Sequence, residues 1–116
     1  MIRKFHRAKV ANDPEVVVWG TGPPRREFLY VDDLADACLF LMKNYQEGEI
    51  INIGVGQDLQ IIELAARRVA AVTGFSGRIV LDPSYPDGTP RKLLDVSKIN
   101  ALGWQPRILL TYFRQL

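Results

Sequence analysis

"EVVVWGTGPPRREFLYVDDLADACLFLMKNY", residues 15–45, is the stretch on which the architecture turns. A β-branched run that ends at Gly20 predicts a buried strand over 15–19. The loop "TGPPRR" is stiffened by two adjacent prolines, and "EFLYV" (27–31) predicts a second strand. From Asp32 onward, apolar residues recur at helical spacing, so Leu34, Ala37, Cys38, Leu41 and Met42 form the predicted inward stripe of a helix. Asp32 and Asp33 stand at its start. Carboxylates there complement the positive end of a helix, and the pair reads as an N-terminal cap rather than as paired catalytic acids.

The flanking sequence continues the alternation. "MIRKFHRAK" predicts a helix with Ile2, Phe5 and Ala8 on one face, closed before Asp13-Pro14 because a residue preceding proline avoids helical geometry. "GEIINIG" predicts a third strand, and "IIELAARRVAAVTG" a long helix with Gly74 at its C-terminal end. "RIVLD" predicts a fourth strand, and "DVSKINALGW" a short helix stopped by Gly103. Strands alternating with helices argue for an α/β domain with parallel pairing, since each parallel crossover needs room for a helix. The chain opens on a helix with no cap or strand before it and closes on "LLTYFRQL", barely one helix long, so both ends read as cut.

Composition narrows the function classes. With 116 residues, 47% hydrophobic and 24% charged, the chain suits one globular domain spanning 1–116. A net charge of +2 gives no flooded basic face of the kind nucleic acid requires. The single cysteine, Cys38, excludes a disulfide within the chain and points to a reducing, cytoplasmic setting. No apolar run approaches the ~20 residues needed to span a bilayer. The basic start "MIRKFHRAKV" lacks the apolar core and cleavage site of a signal peptide.

Several features suggest chemistry at first reading. "NIGVGQD" has the Gly-x-Gly of a dinucleotide loop, but Leu59 stands where the third glycine belongs and no acidic residue follows at the required distance; it reads as a tight turn. Cys38 lies on the apolar stripe without a histidine partner, so it reads as a small buried hydrophobe. His6, among Arg3, Lys4 and Arg7, is one histidine on a solvated face and makes neither a metal site nor a triad. Arg25-Arg26 are different. They follow Pro23-Pro24 in a stiff loop leaving Trp19, and a guanidinium beside an indole suits a flat ring and a phosphate; two solvated arginines are the alternative. Arg91-Lys92 follow the rigid "PDGTP" and would lose little entropy on binding. Together with Lys4, these cations would form a dianion pocket if they converge, and spacing does not decide convergence.

"VVVWGTGPPRREFLYVDDLADACLFLM", "INIGVGQDLQIIELA" and "YPDGTPRKLLDVSKINALGW" together resemble the C-terminal half of the GDP-L-fucose synthase family, within the extended short-chain dehydrogenase/reductases. The likeness runs from about residue 2 to about 108, and "PDGTPRKLLDVSKINALGW" is its most specific part. That family converts GDP-4-keto-6-deoxymannose to GDP-L-fucose, by epimerisation at C3 and C5 and NADPH-dependent reduction of the C4 ketone. The resemblance implies a small GDP-sugar-binding domain with short parallel strand pairs, 15–19 with 78–82 and 27–31 with 50–54, and helices packed over them. It implies substrate contacts at Lys4, Trp19, Arg26, Asp87 and Lys92. In this role Arg26 and Lys92 would neutralise phosphate, Trp19 would pack on the nucleotide sugar, and Asp87 would accept from a hydroxyl.

The family's cofactor half has no counterpart in these residues. The glycine-rich NADP loop is absent, and Tyr30, Tyr45, Tyr85 and Tyr112 each lack a lysine four positions on. The catalytic histidine of the family would fall just before Met1, so His6 does not correspond to it, and Cys38 is not the catalytic cysteine. The resemblance therefore implies a piece of a longer protein without a Rossmann domain, catalytically inactive alone and binding no cofactor by itself. Its expected partners are a GDP-sugar and the missing Rossmann half, with self-association through an exposed domain interface. The alternatives are a free-standing module for nucleotide-diphosphate sugars and a non-functional remnant.

Overall fold

Val16, Val17 and Val18 lie on a strand, β1 (Glu15–Trp19), that pairs in parallel with β4 (Arg78–Asp82), in register from Glu15 opposite Arg78 to Trp19 opposite Asp82. This is the pairing the family resemblance implies. The computed structural model describes residues 1–108 and Leu110; the closing stretch "LLTYFRQL", expected as a cut helix, lies largely outside them. Residues Met1–Arg26 and Leu59–Arg91 make one unit, and Glu27–Asp58 with the chain from Lys92 onward make a second.

In the first unit, burial along β1 alternates. Val16 and Val18 point into the core, while Trp19 stays 62% exposed. The strand expected to be buried is therefore covered on one face only, the period-two pattern of a half-buried strand. Helix α1 (Ile2–Ala11) lays Phe5 and Ala8 against it, with Ile2 left exposed. Phe5 is completely buried and meets Phe75 edge-on, ring centroids 5.5 Å apart, a geometry that adds about 0.5–1.5 kcal/mol beyond area burial. Asn12 ends α1 in the left-handed region (φ 54°), and its N–H reaches back to the Ala8 and Lys9 carbonyls. Helix α3 runs in three consecutive pieces: α-helical Ile61–Glu63, π-helical Leu64–Val69 and α-helical Ala70–Thr73. The wide turn carries Ala65 and Val69 into the same core. Gly74 closes α3 at φ 69°, as the sequence predicts.

The second unit forms around Ala37, Val96, Ile99 and Trp104, with Leu29, Phe40, Leu41, Ile51 and Ile53 packed against them. Helix α2 (Val31–Asn44) supplies Ala37, Phe40 and Leu41 and helix α4 (Ser97–Ala101) supplies Ile99; the rest come from the segments around them. Here the structure departs from the predicted stripe. Ala37 and Leu41 do turn inward, but Leu34, Cys38 and Met42 are exposed, Met42 at 80%. Asp33 is buried instead. Its Oδ2 accepts the N–H groups of Arg107 (3.2 Å) and Ile108 (2.8 Å), and the Trp104 indole N–H donates to Asp36 Oδ2 at 2.9 Å. These carboxylates select which face of an apolar helix points in. Asp33 is thus no N-terminal cap: no side chain caps α2, although both aspartates sit in its first turn.

The strands expected at 27–31 and 48–54 are also corrected. β2 is Arg25–Glu27, and residues 50–54 carry no strand, so their pairing with 27–31 does not exist. β2 lies between the short strands β3 (Asp58–Gln60) and β5 (Arg91–Lys92), in the order β3-β2-β5. Glu27 holds the neighbouring loop segments by its side chain instead. Its Oε1 accepts the N–H of Val55 at 2.5 Å and of Gly56 at 2.6 Å, and its Oε2 accepts the N–H of Leu94 at 3.1 Å. One carboxylate thus ties the 55–56 turn and Leu94 to Glu27 through three charge-assisted bonds. Gly54 is required for this approach, because a Cβ there would lie 2.5 Å from Glu27 Oε1.

Replacing Glu27 by Ala is therefore expected to strand three amides and lower the unfolding free energy by about 2–4 kcal/mol, with Glu27→Gln losing less. Urea denaturation checks this; an unchanged midpoint for Glu27→Ala would show that the carboxylate is not what organises residues 54–56 and 94.

Candidate functional site

The parallel pair brings the carboxyl ends of β1 and β4 to one edge of the first unit, and the loops leaving them meet there. Gly20 N–H donates to the Asp82 carbonyl at 2.8 Å, just beyond the last register pair. The Asp82 carboxylate then folds the next residues into a tight turn, accepting the Ser84 N–H (3.0 Å) and hydroxyl (2.6 Å). The Ser84 hydroxyl and then its amide hold the Asp82 pKa below the ordinary carboxylate value, with the Lys4 charge adding to the effect. The turn delivers Tyr85 onto Trp19. The two rings are nearly parallel, 10° apart in plane and 4.3 Å between centroids. Lys4 Nζ stands over the same indole, 5.4 Å from its centroid. Beside them Lys4, Val17, Trp19 and Ile61 help to line a cleft of ≈ 310 Å³.

A second clasp lies two residues farther along each loop. Asp87 Oδ1 accepts the Thr21 N–H at 2.6 Å and Oδ2 accepts the Thr21 hydroxyl at 2.5 Å. The hydroxyl, followed by the amide, keeps the Asp87 pKa low. Gly20 (φ 90°) permits the approach, since a Cβ at that position would run into the Asp87 carboxylate. Arg26 is half-buried, donates from Nη1 to the Arg25 carbonyl at 2.7 Å, and turns Nη2 toward Gly88.

Of the five expected contacts, Lys4 and Trp19 are in direct contact, and Asp87 and Arg26 lie on loop segments of the same unit. Lys92 is exposed on β5 and belongs to the second unit. Asp87 already holds a hydroxyl, that of Thr21. Sequence reasoning missed Thr21 and Tyr85. Tyr85 carried a faint signal, an aromatic just before Pro86 inside a turn, whereas nothing local marks Thr21.

The other candidates resolve as structure. The Gly54–Gly56 turn presents its N–H groups to an anion, and that anion is the protein's own Glu27. Cys38, expected to be buried, is exposed, because the aspartates rotate α2 away from the predicted stripe. His6 is exposed on α1. Among the described residues no group of three or more His, Cys, Asp or Glu is placed to hold a metal ion, and no helix is long and apolar enough to cross a membrane.

Residues 1–54 match the NAD dependent epimerase/dehydratase family. GDP-L-fucose synthase 1 of Arabidopsis thaliana is 56% identical over 110 residues, which cover 95% of this chain and 34% of the relative. By sequence, this chain is a homologue of the GDP-L-fucose synthases. It spans about a third of the length of the curated relatives it matches. The backbone agrees. A GDP-L-fucose synthetase from Naegleria fowleri, solved bound to NADP, superposes with a TM-score of 0.84 at 30% identity, covering 98% of this chain and 36% of that one. A GDP-mannoheptose C4 reductase from Campylobacter jejuni, solved with NADP bound, gives 0.79 at 36% identity, covering 99% and 43%. The fold is thus that of a part of an extended short-chain dehydrogenase/reductase, as the sequence resemblance implies.

The lowered pKa of Asp87 has a stability consequence. A depressed carboxyl contributes its stabilisation at pH above the ordinary carboxylate range and loses it as pH falls through the lower folded-state value. Thr21→Val removes the larger cause and leaves the amide bond. The Asp87 carboxyl is then expected to titrate nearer its ordinary value in an NMR pH series, and an unmoved titration would show that the hydroxyl bond is not formed in solution.

Proposed function

We propose that this chain is the GDP-sugar-gripping portion, residues 1–116, of a GDP-L-fucose synthase, and that it is catalytically silent alone. The observation that carries this reading is the edge where β1 and β4 end. There a cation (Lys4) and an exposed indole (Trp19) stand together, with Arg26 and the Asp87 clasp on neighbouring loops of the same unit. Those residue types suit a nucleotide diphosphate: fixed cations for the phosphates and flat rings for the sugar or base. In the proposed roles Lys4, Arg26 and Lys92 neutralise the diphosphate and Trp19 packs on the nucleotide sugar. Asp87 holds the loop through Thr21 and offers its remaining lone pairs to a substrate hydroxyl.

The reaction would be that of the relatives by name: production of GDP-L-fucose, here from the 4-keto-6-deoxy sugar by epimerisation and reduction. NADP chemistry would reside in the two-thirds of the relatives' length that this chain does not match, since no glycine-rich cofactor loop and no Tyr-x-x-x-Lys pair occurs in these residues. The Rossmann half is therefore the proposed partner, the cytoplasm the proposed location, and no cofactor is assigned to this chain by itself.

Calorimetric titration of the purified chain with GDP and with GDP-mannose tests the grip. Weak saturable binding is expected, at least tenfold weaker in Arg26→Ala and Lys92→Ala, each of which removes a phosphate contact worth roughly 1.5–3 kcal/mol. No heat and no thermal stabilisation at millimolar ligand would reject it. NADPH oxidation in the presence of the keto sugar, by this chain alone, would overturn the claim of silence.

A further inference from the structure

We infer that Tyr85 is a specificity-determining stacking residue, its ring and that of Trp19 forming a two-ring platform that takes the planar base of a nucleotide diphosphate. The inference rests on the nucleotide-binding reading above and adds to it the surface that meets the ring. Trp19 is 62% exposed and Tyr85 42% exposed, although they stack at 4.3 Å with only 10° between their planes. Two large rings left this open in a small chain are not core. Tyr85 already covers one face of the indole, and Lys4 stands over the same ring, so the flat surface still open to a ligand includes the outer face of Tyr85.

The platform is held in place before any ligand arrives. On one side, the Tyr85 N–H reaches the Asp82 carbonyl at 3.4 Å, in the turn that the Asp82 carboxylate closes on Ser84. On the other side, two residues on, Asp87 is tied to Thr21 by both of its oxygens. Pro86 lies between and fixes one more backbone torsion. The loop that carries Tyr85 is thus anchored at both ends to the chain around Trp19, and stacking a base on it costs little further ordering. An aromatic face accepts any base, so discrimination here is between ligands with a ring and ligands without one. Lys4, attracted to the indole and interacting with Asp82, supplies positive charge at the border of the platform, where the phosphates of a stacked nucleotide would run.

The test is a calorimetric comparison of GDP with inorganic pyrophosphate on the wild-type chain and on Tyr85→Ala and Tyr85→Phe. Removing an aromatic platform typically weakens a stacked base by roughly 5- to 150-fold. Tyr85→Ala is expected to lose affinity for GDP within that range and to keep its affinity for pyrophosphate, while Tyr85→Phe binds GDP as the wild type does. Unchanged GDP affinity in Tyr85→Ala would overturn the role of Tyr85 and leave the nucleotide-binding reading standing. Tighter GDP binding in Tyr85→Ala would overturn it in another way, by showing that the tyrosine competes with the base for Trp19. Wild-type chain that binds neither GDP nor pyrophosphate would overturn both readings together.

Discussion

The parallel pairing of β1 with β4 is the constraint on which the candidate site depends. Because the strands run in the same direction and in register, Trp19 and Asp82 end side by side and their outgoing loops leave from one edge. An antiparallel pair would send one of these loops to the opposite end. From the shared edge follow the Gly20–Asp82 bond, the Tyr85–Trp19 stack and the Thr21–Asp87 clasp, each a pairing of one outgoing loop with the other. In parallel α/β sheets generally, the carboxyl ends of strands are where ligands bind, for this same reason: loops converge there while the hydrogen-bonded strands hold them still.

Carboxylates do much of the internal work. Glu27 satisfies three backbone amides, Asp33 satisfies two, Asp36 receives an indole N–H, and Asp82 and Asp87 fold and pin loops. Each case exploits the same property. An ionised carboxylate accepts several hydrogen bonds at once, and its bonds are stronger than neutral ones. In a chain this short, irregular segments such as 50–57 and 83–90 have few ladder partners, and side-chain oxygens take over that role. This accounts for residues that look reactive in one dimension, a paired aspartate and a glycine turn facing an anion, and are structural in three.

The homology and the geometry speak to different questions. Identity to GDP-L-fucose synthases extends over nearly the whole chain but over a third of each relative, so it shows what the chain is similar to and leaves the activity of the whole protein as a proposal. The geometry supplies the local chemistry: cations, flat rings and a rigid loop at one edge of the first unit. The aromatic stack is the feature that neither likeness to those relatives nor residue composition announces.

The sequence by itself determined the α/β class, the two helices read at 1–9 and 32–45 and found at 2–11 and 31–44, the strands at 15–19 and 78–82, and the end of α3 at Gly74. Each is written in local signals, such as β-branched runs, helical spacing and glycine at a left-handed cap, that act within a few residues. The cations and the indole of the proposed site, Lys4, Arg26, Lys92 and Trp19, stood out by residue type and loop setting, and the family likeness added Asp87 and the pairing of 15–19 with 78–82. Tertiary structure alone decided the rest. Helix α2 is apolar on more than one face, so its inward side was chosen by Asp33 and Asp36 reaching residues about seventy positions away. Glu27 met its amides 28, 29 and 67 positions on, and the strand that the local pattern favoured at 48–54 is absent. Thr21 found Asp87 across 66 positions, and with that clasp came the stack of Tyr85 on Trp19. Hydrogen bonds of this span have no periodicity to betray them; they exist only once the strands have brought the loops together.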